Sequence, residues 1–393
     1  MQSYIEKLYK KLGPVKYSYE SEILIKKICE HMKEGETEWD TKKGHIEFIL
    51  RPPSAVRVWG IHYPAIPEIV RSEIAGFGYI YEAKFSIEER NIDKDSSTKE
   101  RNIDKDSSTK ERQIGIFLYS PTAIGKGILR TYLRKLYVWL YIACEFAALN
   151  KCSKALNIYI YMTQGKKVFP ENRGQVLGIP HVNSGFTYSC LPKNEIHVYR
   201  AEEWFKIVIH ETFHSLHLDF SSMDDNVANT RIYDLIPIKL DLRFYEAYTD
   251  CWADIIHTCF IAKGSFARFK EAIEVERRFA IYQCARVLYH YELSYMNLLG
   301  GGSYRENSPV LSYYIIKSCF HFYLDDFLRW CATRNRGSIQ FRHIESNIIS
   351  LCDLYRELYR KESYVGILNR TSMVLEKGIP KVMENTLRRT ILQ

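Results

Sequence analysis

The chain has 393 residues, 46% of them hydrophobic, ample for one large core or two medium ones and too apolar for a disordered chain. Lys and Arg outnumber Asp and Glu by 55 to 47, and the +8 surplus is spread thinly. No basic block or aromatic-interleaved basic stripe appears, which argues against nucleic-acid binding, and no apolar run of about 18 residues argues for a membrane span.

Ten cysteines are scattered, Cys29, Cys144, Cys152, Cys190 and Cys251 among them, with no C-x-x-C pair to suggest a metal ribbon or redox motif. Residues 1–7 lack the apolar centre of a signal peptide. The expectation is a soluble chain made in a reducing compartment, its cysteines kept as thiols.

In chain order, helices are predicted at 1–12 and 20–33, followed by an extended run at 45–50 that Pro52 and Pro53 end. Residues 89–99 are then repeated without change as 100–110. The repeat is almost devoid of apolar residues and cannot bury enough to order itself, so 89–112 reads as a tolerant, disordered surface loop. A strand at 114–119, a helix at 126–149 and a strand at 156–161 follow. Gly125-Lys126-Gly127 lacks the spacing of a phosphate loop. Extended segments at 178–188 and 195–200 flank a turn at Pro192-Lys193-Asn194. Beyond Glu246 everything reads as helix, with apolar stripes through 265–295, 308–335 and 338–360. The class is α+β.

The densest chemistry lies at His210-Glu211-Thr212-Phe213-His214, an H-E-x-x-H motif. Glu202 and Glu203 in a first turn, then an apolar stripe continued by Phe213 and Leu216, predict a long helix buried on one side. Histidines four apart project from one face, where a single tetrahedral zinc ion takes both imidazoles. Glu211 is turned aside, able to reach a water without ligating the metal.

A catalytic zinc needs a third protein ligand and an open position. The metzincin extension fails, because His217 stands at its glycine position and Phe220 at its last histidine. Asp219, Asp224 and Asp225 follow the helix but sit in no recognisable motif. Glu246 and Asp250, four apart in an aromatic and aliphatic segment at 242–256, are carboxylates that need partners to offset desolvation. Zinc for Glu246, and the far N–H of a ligand histidine for Asp250, would supply them.

With His210, Glu211, His214, Glu246 and Asp250 together, the chain resembles the gluzincin clan of thermolysin-like and aminopeptidase-like zinc peptidases. The linker of 31 residues between His214 and Glu246 is somewhat long for the thermolysin type. The resemblance implies a zincin-like fold, with a mixed α/β N-terminal lobe carrying the motif helix and a mostly helical C-terminal lobe. The corresponding divisions are 1–112, 113–240 and 241–393. It implies Zn2+ as cofactor, a peptide or protein substrate, and Glu211 as general base. It further implies an edge segment at Asn183, Ser184 and Gly185 that binds extended substrate, and an oxyanion-stabilising tyrosine at Tyr313 or Tyr314. An ordinary hairpin at 178–200 would read the same way. Ser308-Pro309 is expected to cap the helix bearing the two tyrosines.

The stretch 182–220 and the Ser-Tyr-Tyr segment at 312–314 also resemble uncharacterised metallopeptidase-like proteins of large cytoplasmic DNA viruses. That resemblance implies a cytoplasmic location, in a host cell or in a virion. The competing function is protein–protein interaction on a zincin scaffold with weak or absent turnover, against which the intact Glu211 argues.

Overall fold

The computed structural model describes residues 1–52, 66–88, 111–147, 151–238 and 240–392. The repeat at 89–110 lies outside them. Helices α1 (Gln2–Leu8) and α2 (Tyr19–Lys42) lead to β1 (Ile49–Arg51), α3 (Glu68–Ala75), β2 (Tyr79–Glu88), β3 (Glu111–Ser120), α4 (Lys126–Phe146) and β4 (Ala155–Tyr161). The short β5 (Leu177–Gly178), α5 (Ile179–Val182), β6 (Gly185–Thr187) and β7 (Lys193–Val198) precede α6 (Trp204–Ser215). Then come α7 (Asn226–Tyr233), α8 (Phe244–Ile261), α9 (Phe266–His290), α10 (Tyr295–Leu299), β8 (Glu306–Asn307) and a π-turn at Leu311–Ile316. Helices α11 (Lys317–Phe322), α12 (Leu324–Arg334), α13 (Glu345–Leu358) and α14 (Glu362–Glu376) follow. The chain is thus α+β, with the strands early and the helices late.

Six strands form one mixed sheet in the order β1-β2-β3-β4-β7-β6. Strands β3, β4 and β7 run parallel, as the α4 crossover between β3 and β4 allows, while β6 turns back antiparallel to β7 at the edge. Register is marked by a cross-strand ladder of rings, Phe117 on Tyr159, Tyr159 on His197 and His197 on Phe186, with centroids 4.7–4.8 Å apart. Val70 and Ile74 of α3 pack on this face. The opposite face joins a larger apolar cluster running from Ile5 to Leu387. Among the described residues no helix is long and apolar enough to cross a membrane.

Several boundaries differ from the sequence expectation. Helix α2 continues to Lys42, because Gly35 lets it close on α4: a Cβ there would meet Tyr141 Cδ1 at 3.0 Å. The extended run at 45–50 shrinks to β1 at Ile49–Arg51. Glu111 and Arg112 are not loop but the start of β3, where the fully buried Arg112 donates to the Cys152 carbonyl. The expectation of thiols throughout fails at one pair, since Cys152 and Cys190 form a disulfide. They precede the parallel neighbours β4 and β7, so the topology brings them together where their spacing of 38 residues gives no sign.

Candidate metal centre

Helix α6 leaves β7 through Glu203, which caps it in a left-handed conformation (φ 60°). Glu202 and Glu203 are therefore not a solvated first turn. Glu203 is buried, 2.7 Å from Lys167 Nζ, and accepts the Arg389 and Thr390 backbone N–H groups at 2.8 and 2.6 Å. Its carboxylate is matched by these donors instead of by water.

Helices α6 and α8 lie against each other along two polar stripes of period four. Lys206, His210 and His214 on α6 face Asp254, Asp250 and Glu246 on α8, so the helices run antiparallel. Residues four apart share a helix face, so each stripe is continuous although both helices are otherwise apolar. At one end the facing groups converge on a point. His210 Nε2 is 3.0 Å from Glu246 Oε2 and 3.2 Å from His214 Nε2, and His214 Nε2 is 3.4 Å from the same carboxylate oxygen. Tetrahedral zinc with bonds of about 2.0–2.1 Å sets its ligand atoms about 3.3–3.4 Å apart. The triangle fits a zinc ion in donor type and in size.

Each imidazole is held from behind. Asp250 Oδ1 lies 3.1 Å from His210 Nδ1, as the sequence predicted. His214 Nδ1 bonds the Asp219 carboxylate, which also accepts from Thr249 Oγ1 at 2.9 Å. Asp219, weighed from sequence as a ligand, is a buried support for a ligand. These bonds place the Nδ1 proton outward and leave both Nε2 atoms to face a metal.

At the other end the stripe becomes a buried ion cluster. Lys206 Nζ is 2.7 Å from Asp250 and 3.0 Å from Asp254; Lys317 Nζ is 2.7 and 2.9 Å from the same two carboxylates. Arg389 Nη1 adds a contact to Asp250 at 3.1 Å, and its guanidinium covers the Tyr313 ring at 4.2 Å. Burial alone would push the Asp250 carboxyl up, but Arg389, Lys206 and Lys317 outweigh it and hold that carboxyl well below the usual range. Asp250 stays ionised beside His210. Lys206, Lys317, Asp254 and Arg389 were not picked out from sequence, although Lys206 and Asp254 extend the two period-four stripes by one step each.

A cavity of about 200 Å³ opens over the triangle, lined by Gly185, Phe186, Thr187, Glu211, Tyr245 and Tyr313 among others. Burial pushes the Glu211 carboxyl above its ordinary range, partly offset by the neighbouring histidines. Edge strand β6 passes so near α6 that a Cβ on Gly185 would lie 2.7 Å from Ile207 Cγ2 and 3.0 Å from Glu211 Oε1. Asn183 and Ser184 precede the strand. Asn183 reaches the cavity and accepts from Ser308 Oγ at 2.5 Å, whereas Ser184 is buried away from it. The edge segment is thus displaced towards Gly185–Thr187.

The two candidate tyrosines separate. Tyr313 lines the cavity with its ring 5.9 Å from that of His210, while Tyr314 points elsewhere and donates to the Leu387 carbonyl at 2.6 Å. Both sit in the π-turn, a wider coil than the regular helix expected after Ser308-Pro309. Burial, reinforced by the Glu246 charge, pushes the Tyr313 phenol up and keeps it protonated. Tyr245, whose ring is 5.7 Å from that of His214, is a further aromatic wall that the sequence did not single out.

No protein-family model, no curated protein and no solved structure matches this chain.

Proposed function

We propose that the chain is a zinc-dependent peptidase of the gluzincin type, zincin-like in fold, with His210, His214 and Glu246 holding the metal. The observation that carries this reading is the triangle of two Nε2 atoms and one carboxylate oxygen, 3.0–3.4 Å on its edges, with Glu211 beside it in an open cavity. A bound zinc ion would supply Lewis acidity, lowering the pKa of a water towards neutrality and polarising a scissile carbonyl.

The chain's own residues account for the remaining steps. Glu211, raised by burial yet flanked by two imidazoles, takes the proton of the attacking water and returns it to the leaving amine. Tyr313, kept protonated, offers its hydroxyl to developing negative charge on the carbonyl oxygen. An extended substrate lies along β6, the last strand of the sheet, adding main-chain hydrogen bonds as one more strand would. Asp250 and Asp219 keep the histidines oriented and take no part in the proton transfers.

The test compares the wild type with Glu211→Gln on a broad peptide library, alongside metal analysis of both proteins. The expected result is one zinc bound at this site in each and turnover in the wild type alone, lowered by about 10²-fold or more in the variant. A wild type that holds zinc through Glu246 and cleaves nothing would instead establish the site as a binding scaffold.

A further inference from the structure

A second group of metal-ligating side chains lies at the far end of α6. Cys152 and Cys190, at the entries to β4 and β7, have Cα atoms 4.4 Å apart, and one ligand atom each from Cys152, Cys190 and His217 lie within 4.8 Å of one another. Cys152 is buried, whereas Cys190 and His217 are partly exposed, so an ion has a route in from solvent. The remaining eight described cysteines are all buried thiols outside such a group.

The backbone around the group is held in unfavourable conformations. Ser153, Cys190 and His217 have φ of 51°, 49° and 59°, the left-handed region that costs a residue with a β-carbon about 1–2 kcal/mol. His217 ends α6 in a Schellman turn: the Leu218 N–H reaches the Phe213 carbonyl at 2.8 Å and the His217 N–H reaches that of His214 at 3.2 Å. Glycine is the usual residue at that position, and histidine occupies it here with its ring turned to the cysteines. Ser153 Oγ ties the site to the helix end, 2.7 Å from Ser215 Oγ.

We propose that Cys152, Cys190 and His217 form a second zinc site, available when the disulfide is reduced. Two thiolates and a neutral imidazole carry a charge of −2 that balances the ion, and the donor set is one zinc favours, with water completing the four positions. An external dithiol supplies two electrons to the sulfur–sulfur bond and becomes a disulfide itself. Two protons arrive with them to give two thiols, and zinc binding releases both. Occupancy pins residue 217 to the entries of β4 and β7. It thereby steadies the two following residues, which bring Asp219 to His214. The oxidised pair joins β4 and β7 but leaves His217 outside the linkage.

The experiment measures zinc per chain on the full-length protein, oxidised and then reduced with a phosphine that does not compete for zinc. Wild type gains one zinc on reduction; Cys190→Ser and His217→Gln gain none; Glu246→Gln gains it while lacking the zinc of the other site. This last arm separates failure here from failure of the peptidase reading. Equal zinc in oxidised and reduced wild type overturns the proposal, as does a gain that survives Cys190→Ser. Cobalt loading of the wild type needs no variant to fold: reduction brings thiolate-to-cobalt charge-transfer absorption, and its absence overturns the proposal as well.

Discussion

The Asp219 carboxylate bonds Nδ1 of His214 across the turn that ends α6, while Thr249 on α8 holds that carboxylate from the other side. One ligand of the triangle is therefore oriented by a residue only five positions along the chain, yet outside the helix that bears it. Supports of this kind typically change metal affinity by about 10–100-fold. Asp219→Asn is expected to weaken zinc binding by that factor in competition with a chromophoric chelator. An unchanged affinity would remove Asp219 from the site.

Asp254 is fully buried between Lys206, Lys317 and His321, and it touches none of the three metal-ligand side chains. Asp254→Asn leaves three cations facing Asp250 alone, and losing one partner in a buried ion cluster costs about 3–5 kcal/mol. Denaturant unfolding should show a loss of that size with zinc stoichiometry preserved. A loss below about 1 kcal/mol would mean that water or a rearranged lysine compensates.

Gly185→Ala places a methyl 2.7 Å from Ile207 Cγ2 and 2.9 Å from the His197 carbonyl. Strand β6 must move off α6, at a cost of about 1–3 kcal/mol for overpacking. Because the same methyl meets Glu211 Oε1 at 3.0 Å, the variant should also lose peptide turnover at temperatures where it stays folded. Full activity in a folded Gly185→Ala protein would contradict the placement of β6 against Glu211.

Burial pulls His257 down to about 4, against an ordinary histidine value of about 6.5. Between these values the unfolded chain binds the extra proton and the folded chain does not. Stability from this group is thus complete above about pH 6.5 and is lost as the pH falls towards 4, by about 3 kcal/mol in all. The difference is read by unfolding wild type and His257→Gln at about pH 7 and about pH 4. The wild type should lose more across that interval; equal losses would exclude His257 as the source.

The sequence by itself determined the helical class of the later chain, the two helices that meet at the site, and His210, His214, Glu246 and Asp250 as one constellation. That much is local, because a four-residue period fixes which side chains share a helix face before any packing occurs. Lys206 and Asp254 were written in the same period and passed unnoticed, since one charge in an apolar stripe has no motif around it. Only the tertiary structure decided the rest. It chose Tyr313 over Tyr314 through a π-turn, turned Asp219 onto His214, brought Arg389 from the last residues of the chain to Asp250, and joined Cys152 to Cys190. Each of these contacts depends on how distant segments pack, and a helical or strand period carries no record of which distant segment will arrive.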